Sequence, residues 1–154
     1  MRKLILAAVA GLSVSGCEIP VMIAAEQNQG QMTGMFEITF PAVMLVAFED
    51  GTEELLNGDL IGHANGSAKY DLTGPNWGHC TGGFDTSGIS TLSCESGASV
   101  SVDIGPQRPK MSGTNVVAGN ALGVNFVSAF GWGNNASEQD VRQAIALYQS
   151  GAGL

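Results

Sequence analysis

The chain has 154 residues, of which 44% are hydrophobic, only 13% charged and 6% aromatic, with 22 glycines, 5 prolines and 3 cysteines. That is one small domain rather than two, poor in charge and about twice as rich in glycine as an average soluble domain, a profile of short strands and turns. Six Lys and Arg against fourteen Asp and Glu give a net charge of −8, which argues against nucleic acid and disfavours anionic lipid headgroups.

The first element is an address. Met1-Arg2-Lys3 is basic, Leu4 to Val14 is an apolar run, and Ser15-Gly16-Cys17 supplies small residues before a cleavage point, so residues 1–16 read as a signal peptide. The run is shorter than the roughly 20 residues a membrane-spanning helix needs. Val14-Ser15-Gly16-Cys17 resembles the lipobox of bacterial lipoproteins. That resemblance implies cleavage before Cys17, a diacylglycerol on its sulfur and an acyl chain on the new amino terminus, with no other cofactor. In that family an Asp after the lipidated Cys retains the protein at the inner membrane. Here the position is Glu18, so the implied location is the outer membrane, with the domain in the periplasm. Several acyl chains anchor stably where one holds only reversibly.

Cleavage leaves four basic side chains, Lys69, Arg108, Lys110 and Arg142, against fourteen acidic ones. The protein would thus meet its membrane through lipid, not through surface charge. Residues 17–34 are expected to be the lipidated Cys and a flexible tether, with Glu26 to Gly34 polar, Gly-containing and aperiodic, and with the apolar Ile19 to Ala25 lying near the membrane or packing on the domain. With Cys17 lipidated, Cys80 and Cys94 are left as a pair, for which an exported protein predicts a disulfide. It would join neighbouring strands across the Asp85-Thr-Ser-Gly88 turn.

Residues 35–136 read as the β domain. Phe36, Ile38 and Phe40 alternate with Glu37 and Thr39, and Pro41 is expected to end that strand. Val43 to Phe48 is a continuous apolar strand before an Asp50-Gly51 hairpin turn. Asn57-Gly58 and Asn65-Gly66 predict two further turns, giving a meander from Glu53 to Leu72. Val100, Val102 and Ile104 alternate with Ser101 and Asp103, and Gly105 to Lys110 is a Pro-containing loop. Two strands follow, over 113–117 and 122–130. Residues 137–150 predict one helix: Ser137-Glu-Gln-Asp140 is a capping start, and Val141, Ala144, Ile145 and Tyr148 share one face that should dock on the sheet. The predicted class is mostly β, a small antiparallel barrel or sandwich with one C-terminal helix; a parallel sheet would need crossover helices.

The succession Asp50-Gly51, Gly58 to Gly62, Tyr70, Cys80-Thr-Gly82, Phe84-Asp85, Cys94 to Gly97 and Gly113 is similar to that of small uncharacterised exported proteins of Gram-negative bacteria. It spans most of residues 43–133 and implies a fold, not an activity.

Several constellations bear on function. Gly131-Trp-Gly-Asn-Asn-Ala136 has dinucleotide-fingerprint spacing, but no second βα unit follows it, so its glycines are expected to turn the chain into the helix. His63 or His79 with Asp59, Asp71 or Asp103 and a serine would be a hydrolase site, yet no nucleophile elbow or metal-ligand spacing selects a trio. Trp77 and Trp132, in Gly-flanked segments, are interaction candidates or lids over a barrel end. Glu49, Asp50, Glu53 and Glu54 form an acidic cluster that would attract a basic partner, or serve only as a solvated edge. The leading expectation is a non-catalytic envelope lipoprotein with a structural or interaction role, its partners the membrane and a protein. The alternative is a lipid-anchored inhibitor or ligand-binding module. The chain resembles lysozyme-inhibitor lipoproteins in being small, acidic and Cys-paired, although Ser112-Gly113 is only a fragment of their motif and the tyrosine that should follow is absent.

Overall fold

A computed structural model describes residues 18–121 and 123–151. The predicted signal peptide and Cys17 lie outside the described residues. The elements are α1 (Glu18–Gln27), β1 (Gln31–Gly34), β2 (Glu37–Phe48), β3 (Glu53–His63), β4 (Ala68–Gly74), β5 (Gly78–Phe84), β6 (Ile89–Cys94), β7 (Ser99–Asp103), β8 (Gly113–Ala121), β9 (Val124–Trp132), a 3₁₀ turn over Gly133–Asn135 and α2 (Glu138–Gln149).

Every strand pairing is antiparallel, and the sheet runs β7-β6-β5-β4-β3-β2-β9-β8, with the short β1 beside the start of β2. The two end strands approach each other without a ladder between them, so the sheet curls into a nearly closed eight-stranded barrel. Curling at this radius brings neighbouring backbones close on the concave side. A Cβ on Gly58 would collide with the Asp71 carbonyl oxygen, and one on Gly82 with that of Thr91, so glycine is needed where the sheet bends most.

Gly58 also accounts for one departure from the expected meander. Asn57-Gly58 is not a turn: β3 runs through it unbroken, paired from Asn57 to Thr73 on one side and Val43 on the other. Pro41 likewise does not end its strand. The ladder with β1 stops at Thr39 and that with β9 begins at Ala42, so Pro41 falls in the gap between two successive neighbours on one edge, where a missing N–H is tolerated. The expected turns at Asp50-Gly51 and Asn65-Gly66 are present. In each, the Asp or Asn side chain accepts from the backbone N–H and hydroxyl two residues on, Thr52 and Ser67. The Thr52 hydroxyl and N–H hold the Asp50 carboxyl below its ordinary range.

Side chains alternate between two cores. Inward-facing Ala42, Met44, Val46, Leu56, Leu60, Tyr70, Leu72, Leu92, Phe126 and Phe130 form the barrel interior. The outward-facing Val43, Leu45 and Ala129 pack instead under Val141 and Ile145 of α2. The unbroken apolar run in β2 is thus explained: one face lines the barrel, the other is covered by the helix. Ser137 caps α2 by accepting from the Asp140 N–H at 3.1 Å. Arg142 ties the helix back to β3 through Glu53 at 2.8 Å while pairing with Glu138 one turn away.

The segment expected to be a loose tether is structured from Glu18 onward. Ala25 is buried, Gly30 packs on the Phe40 ring, and the Asn134 side-chain amide donates to the Gln27 carbonyl at 3.0 Å. Polar, aperiodic sequence concealed this because the segment is held by backbone pairing and by groups more than a hundred residues away rather than by its own pattern.

Candidate functional site: the barrel lumen

The two barrel ends differ. At one end lie the β2–β3, β4–β5 and β6–β7 turns, and here the interior is plugged. Glu54 points inward and is only 1% exposed. Its Oε1 accepts from the backbone N–H groups of Asn76 (3.0 Å) and Trp77 (2.9 Å), and its Oε2 from the Asn76 side-chain amide (2.7 Å). The Phe48 ring packs edge-on against both Trp77 and Phe126, each centroid pair 6.1 Å apart. Trp77 therefore closes the floor and is partly buried there. Of the acidic cluster, Glu54 is a correction: it is not part of a solvated edge but belongs to the plug, while Asp50 stays exposed at the turn and Glu53 holds Arg142. Glu49 accepts from the Asn125 amide across the β2–β9 pair.

Above this floor is a cavity of about 570 Å³, within the range of sites that take one small organic ligand. Eight strands enclose an interior that side chains only just fill. Here the inward positions of several strands carry small residues, Ala42, Ala68, Ser90 and Ser128, beside the larger Met44, Leu60 and Phe130, and the volume stays open. The polar groups inside are few. The Tyr70 hydroxyl pairs with Ser90 Oγ at 3.2 Å, and burial pushes the phenol up to about 12, against the weaker opposing effect of the Ser90 hydrogen bond, so it stays neutral at physiological pH. The Tyr70 ring lies 4.9 Å from that of Phe130, which stacks on Trp132 at 5.9 Å.

The other end is the mouth, formed by the β1–β2, β3–β4 and β5–β6 turns. The chain between β7 and β8, Ile104 to Ser112, crosses it as a strap. It starts and ends at the barrel seam, yet it lies against the β3–β4 turn on the far side, with the Gln107 carbonyl and the Pro109 ring beside Gly66. Gln107 braces it by donating to the carbonyls of Ile104 and Gly105, and Trp132 Nε1 donates to the Lys110 carbonyl at 3.0 Å. Trp132 thus belongs to the lumen wall and holds the strap. At the rim the β1–β2 turn presents Met35 and Phe36, 84% and 70% exposed, with Phe36 held at a φ of 66° that non-glycine residues seldom adopt.

Each histidine side chain faces a carboxylate. His79 Nε2 lies 2.9 Å from Asp71 Oδ1 on the outer face, and His63 Nδ1 is 3.4 Å from Glu37 at the mouth. Among the described residues no side-chain hydrogen bond joins either to a serine, and no three His, Cys, Asp or Glu side chains are placed to hold a metal. Asp59 stands opposite Asp71 in the β3–β4 ladder, next to the His79–Asp71 pair, but makes no ion pair with a histidine among the described residues, and Asp103 accepts from the Gly105 N–H. Gly131 and Gly133 turn the chain toward α2; a Cβ on Gly131 would strike the Asn135 carbonyl.

No family model, no curated protein and no solved structure matches the chain. The lumen, the plug and the strap are the residues on which a function can be argued. Sequence reasoning missed the lumen and the strap, and of the floor it anticipated a tryptophan lid over a barrel end but not the buried Glu54. The available signal was the run of small residues at inward-facing strand positions, together with two of the six Lys and Arg residues falling in one Pro-flanked loop.

Proposed function

We propose that this protein is an envelope lipoprotein, anchored at the outer membrane through an acylated Cys17, whose barrel holds an apolar ligand in its lumen without performing chemistry on it. Of the two roles expected from sequence, ligand binding is favoured over a purely structural or protein-docking role by a single observation: an open, largely apolar 570 Å³ cavity with a sealed floor. A lumen of that kind left filled with water loses the dispersion contacts and the burial that a fitted ligand would restore. The exposed Met35 and Phe36 at the rim give an apolar ligand a path from a bilayer to the mouth.

The lumen is tested with N-phenyl-1-naphthylamine, a neutral probe whose fluorescence rises in apolar surroundings, added to the whole chain carrying Cys17→Ser so that no detergent is needed. Saturable one-to-one binding with Kd on the order of 1 μM, about −8 kcal/mol, is expected. Ser128→Phe or Ala68→Phe, each of which places a ring in the lumen, should weaken it at least tenfold while leaving a cooperative thermal transition. Failure of the unmodified lumen to bind the probe would refute the reading.

The anchor is tested separately. A clickable fatty acid fed to the native host should label the wild-type protein and not Cys17→Ser. Equal labelling of the two, or none in either, would remove the lipoprotein half of the proposal and leave the lumen untouched.

A further inference from the structure

The cavity wall is charged differently from the chain as a whole. Against fourteen Asp and Glu and a net charge of −8, the described residues that line the cavity include no Asp or Glu and two cations, Arg108 and Lys110, while Glu37, Asp85 and Asp103 stand at the rim outside that lining. Both sit on the strap, within three residues of each other. Of the other two basic side chains beyond the signal segment, Arg142 is taken up by Glu53 and Glu138, and Lys69 lies on β4 at an outward-facing position.

Arg108 and Lys110 have no carboxylate within 4.0 Å among the described residues. Acidic groups near the mouth are committed elsewhere. Asp85 accepts from the Ser87 hydroxyl and from the N–H groups of Ser87, Gly88 and Ile89, Asp103 from the N–H of Gly105, and Glu37 faces His63. Arg108 and Lys110 are thus two cations over an apolar opening with no carboxylate within 4.0 Å among the described residues, so an anionic head can pair with them directly. Deeper in the lumen the polar groups are neutral: Tyr70, Ser90 and Ser128. A charged head therefore finds its counter-ions at the strap and nowhere below it.

We propose that the ligand is a single-chain anionic amphiphile, its tail in the lumen and its carboxylate or phosphate head held at the mouth by Arg108 and Lys110. The inference rests on the lumen-binding reading above and adds the ligand's charge and shape to it. The strap is suited to the task. Pro106 and Pro109 restrict its backbone, Gln107 braces it from within, the Trp132 indole ties it to β9, and the two cations flank Pro109. A guanidinium reads two oxygens of a carboxylate or phosphate at once, and an ammonium adds a compact second charge. One chain suits a cavity of 570 Å³, the size of a site for one small ligand, better than a two-chain lipid does.

The test compares cis-parinaric acid with its methyl ester, which share one fluorescent chain and differ only in the charge of the head, on the whole chain carrying Cys17→Ser at pH 8 and low salt. The acid is expected to bind at least tenfold more tightly than the ester, and the difference should shrink as salt is raised through a few hundred millimolar. In Arg108→Gln/Lys110→Gln the acid should lose at least fivefold while the ester is unchanged. Both substitutions are on an exposed loop, and the unchanged ester certifies the lumen. Dodecyl phosphate and lysophosphatidylglycerol then compete against the bound acid. Displacement by the first alone assigns a free anionic chain, and displacement by both extends the class to membrane-derived lysolipids. Displacement by neither overturns the proposal, as does equal binding of acid and ester, or a preference for the acid that survives the double substitution. Absence of binding by acid, ester and the neutral naphthylamine alike would instead refute the lumen reading itself.

Discussion

Glu54→Ala is expected to cost about 3 kcal/mol of folding stability, the largest loss from any single side chain in the barrel floor. Glu54 is almost fully buried, and its two oxygens serve two backbone N–H groups and one amide of the β4–β5 turn. Hydrogen bonds to a charged group contribute about 1.5–3 kcal/mol each, and a buried donor left without an acceptor costs about 1–3 kcal/mol. Truncation strands three donors together and leaves a void beneath Trp77. The loss is capped because the turn is at the barrel end, where water can reach donors that the alanine frees. Glu54→Gln keeps one oxygen for the two N–H groups, and a flip of the Asn76 amide lets its oxygen accept from the new amide, so the cost should fall to about 1 kcal/mol. Urea denaturation of the two variants decides the matter. If Gln is as damaging as Ala, or if Ala costs under 1 kcal/mol, the plug is not held in the way these hydrogen bonds imply.

Removing the Cys80–Cys94 bridge is the second large effect. The two cysteines stand directly opposite each other in the β5–β6 ladder, with Cα atoms 4.0 Å apart, and are separated by 14 positions. Opening a loop of that size releases unfolded-state entropy worth about 3 kcal/mol. Cys80 is fully buried in the lumen-side core while Cys94 is partly buried against it, so the double alanine variant is the fair comparison; serine at 80 would bury a hydroxyl as well. Cys80→Ala/Cys94→Ala is expected to melt roughly 10 °C below the parent, with an unchanged lumen at low temperature. Part of the constraint survives in the turn itself. The Ser87 hydroxyl and the N–H groups of Ile89, Ser87 and Gly88 hold the Asp85 carboxyl below its ordinary range, so the hairpin keeps a local closing device when the disulfide is gone. A shift of under 3 °C would mean that this turn already does the work credited to the bridge.

The bridge was legible in the chain because it follows from counting. The same holds for strands whose alternating residues face core and solvent, such as β7, and for the capped start of α2. Where the reading failed, a distant element was deciding. Pro41 is harmless only because two other strands meet beside it, and Asn57-Gly58 is straight-through strand only because the sheet curls there. Residues 26–34 carry no pattern, yet they are pinned by Asn134 and by pairing with β2. Glu54 looked like the fourth acid of a solvated turn and its flanks; its burial depends on the β4–β5 turn closing over it.

Sequence was enough to determine the class of this protein, most of the antiparallel hairpins and the helix that covers β2, since each depends on residue period, turn chemistry or a cap acting within a few positions, and the pairing of Cys80 with Cys94, which follows from the cysteine count. The lumen, the sealed floor and the placing of Arg108 and Lys110 over the mouth were decided by tertiary structure alone. Alternation tells which side chains point inward. How far apart the opposite walls stand, and which loop spans them, depends on the curvature and closure of the whole sheet.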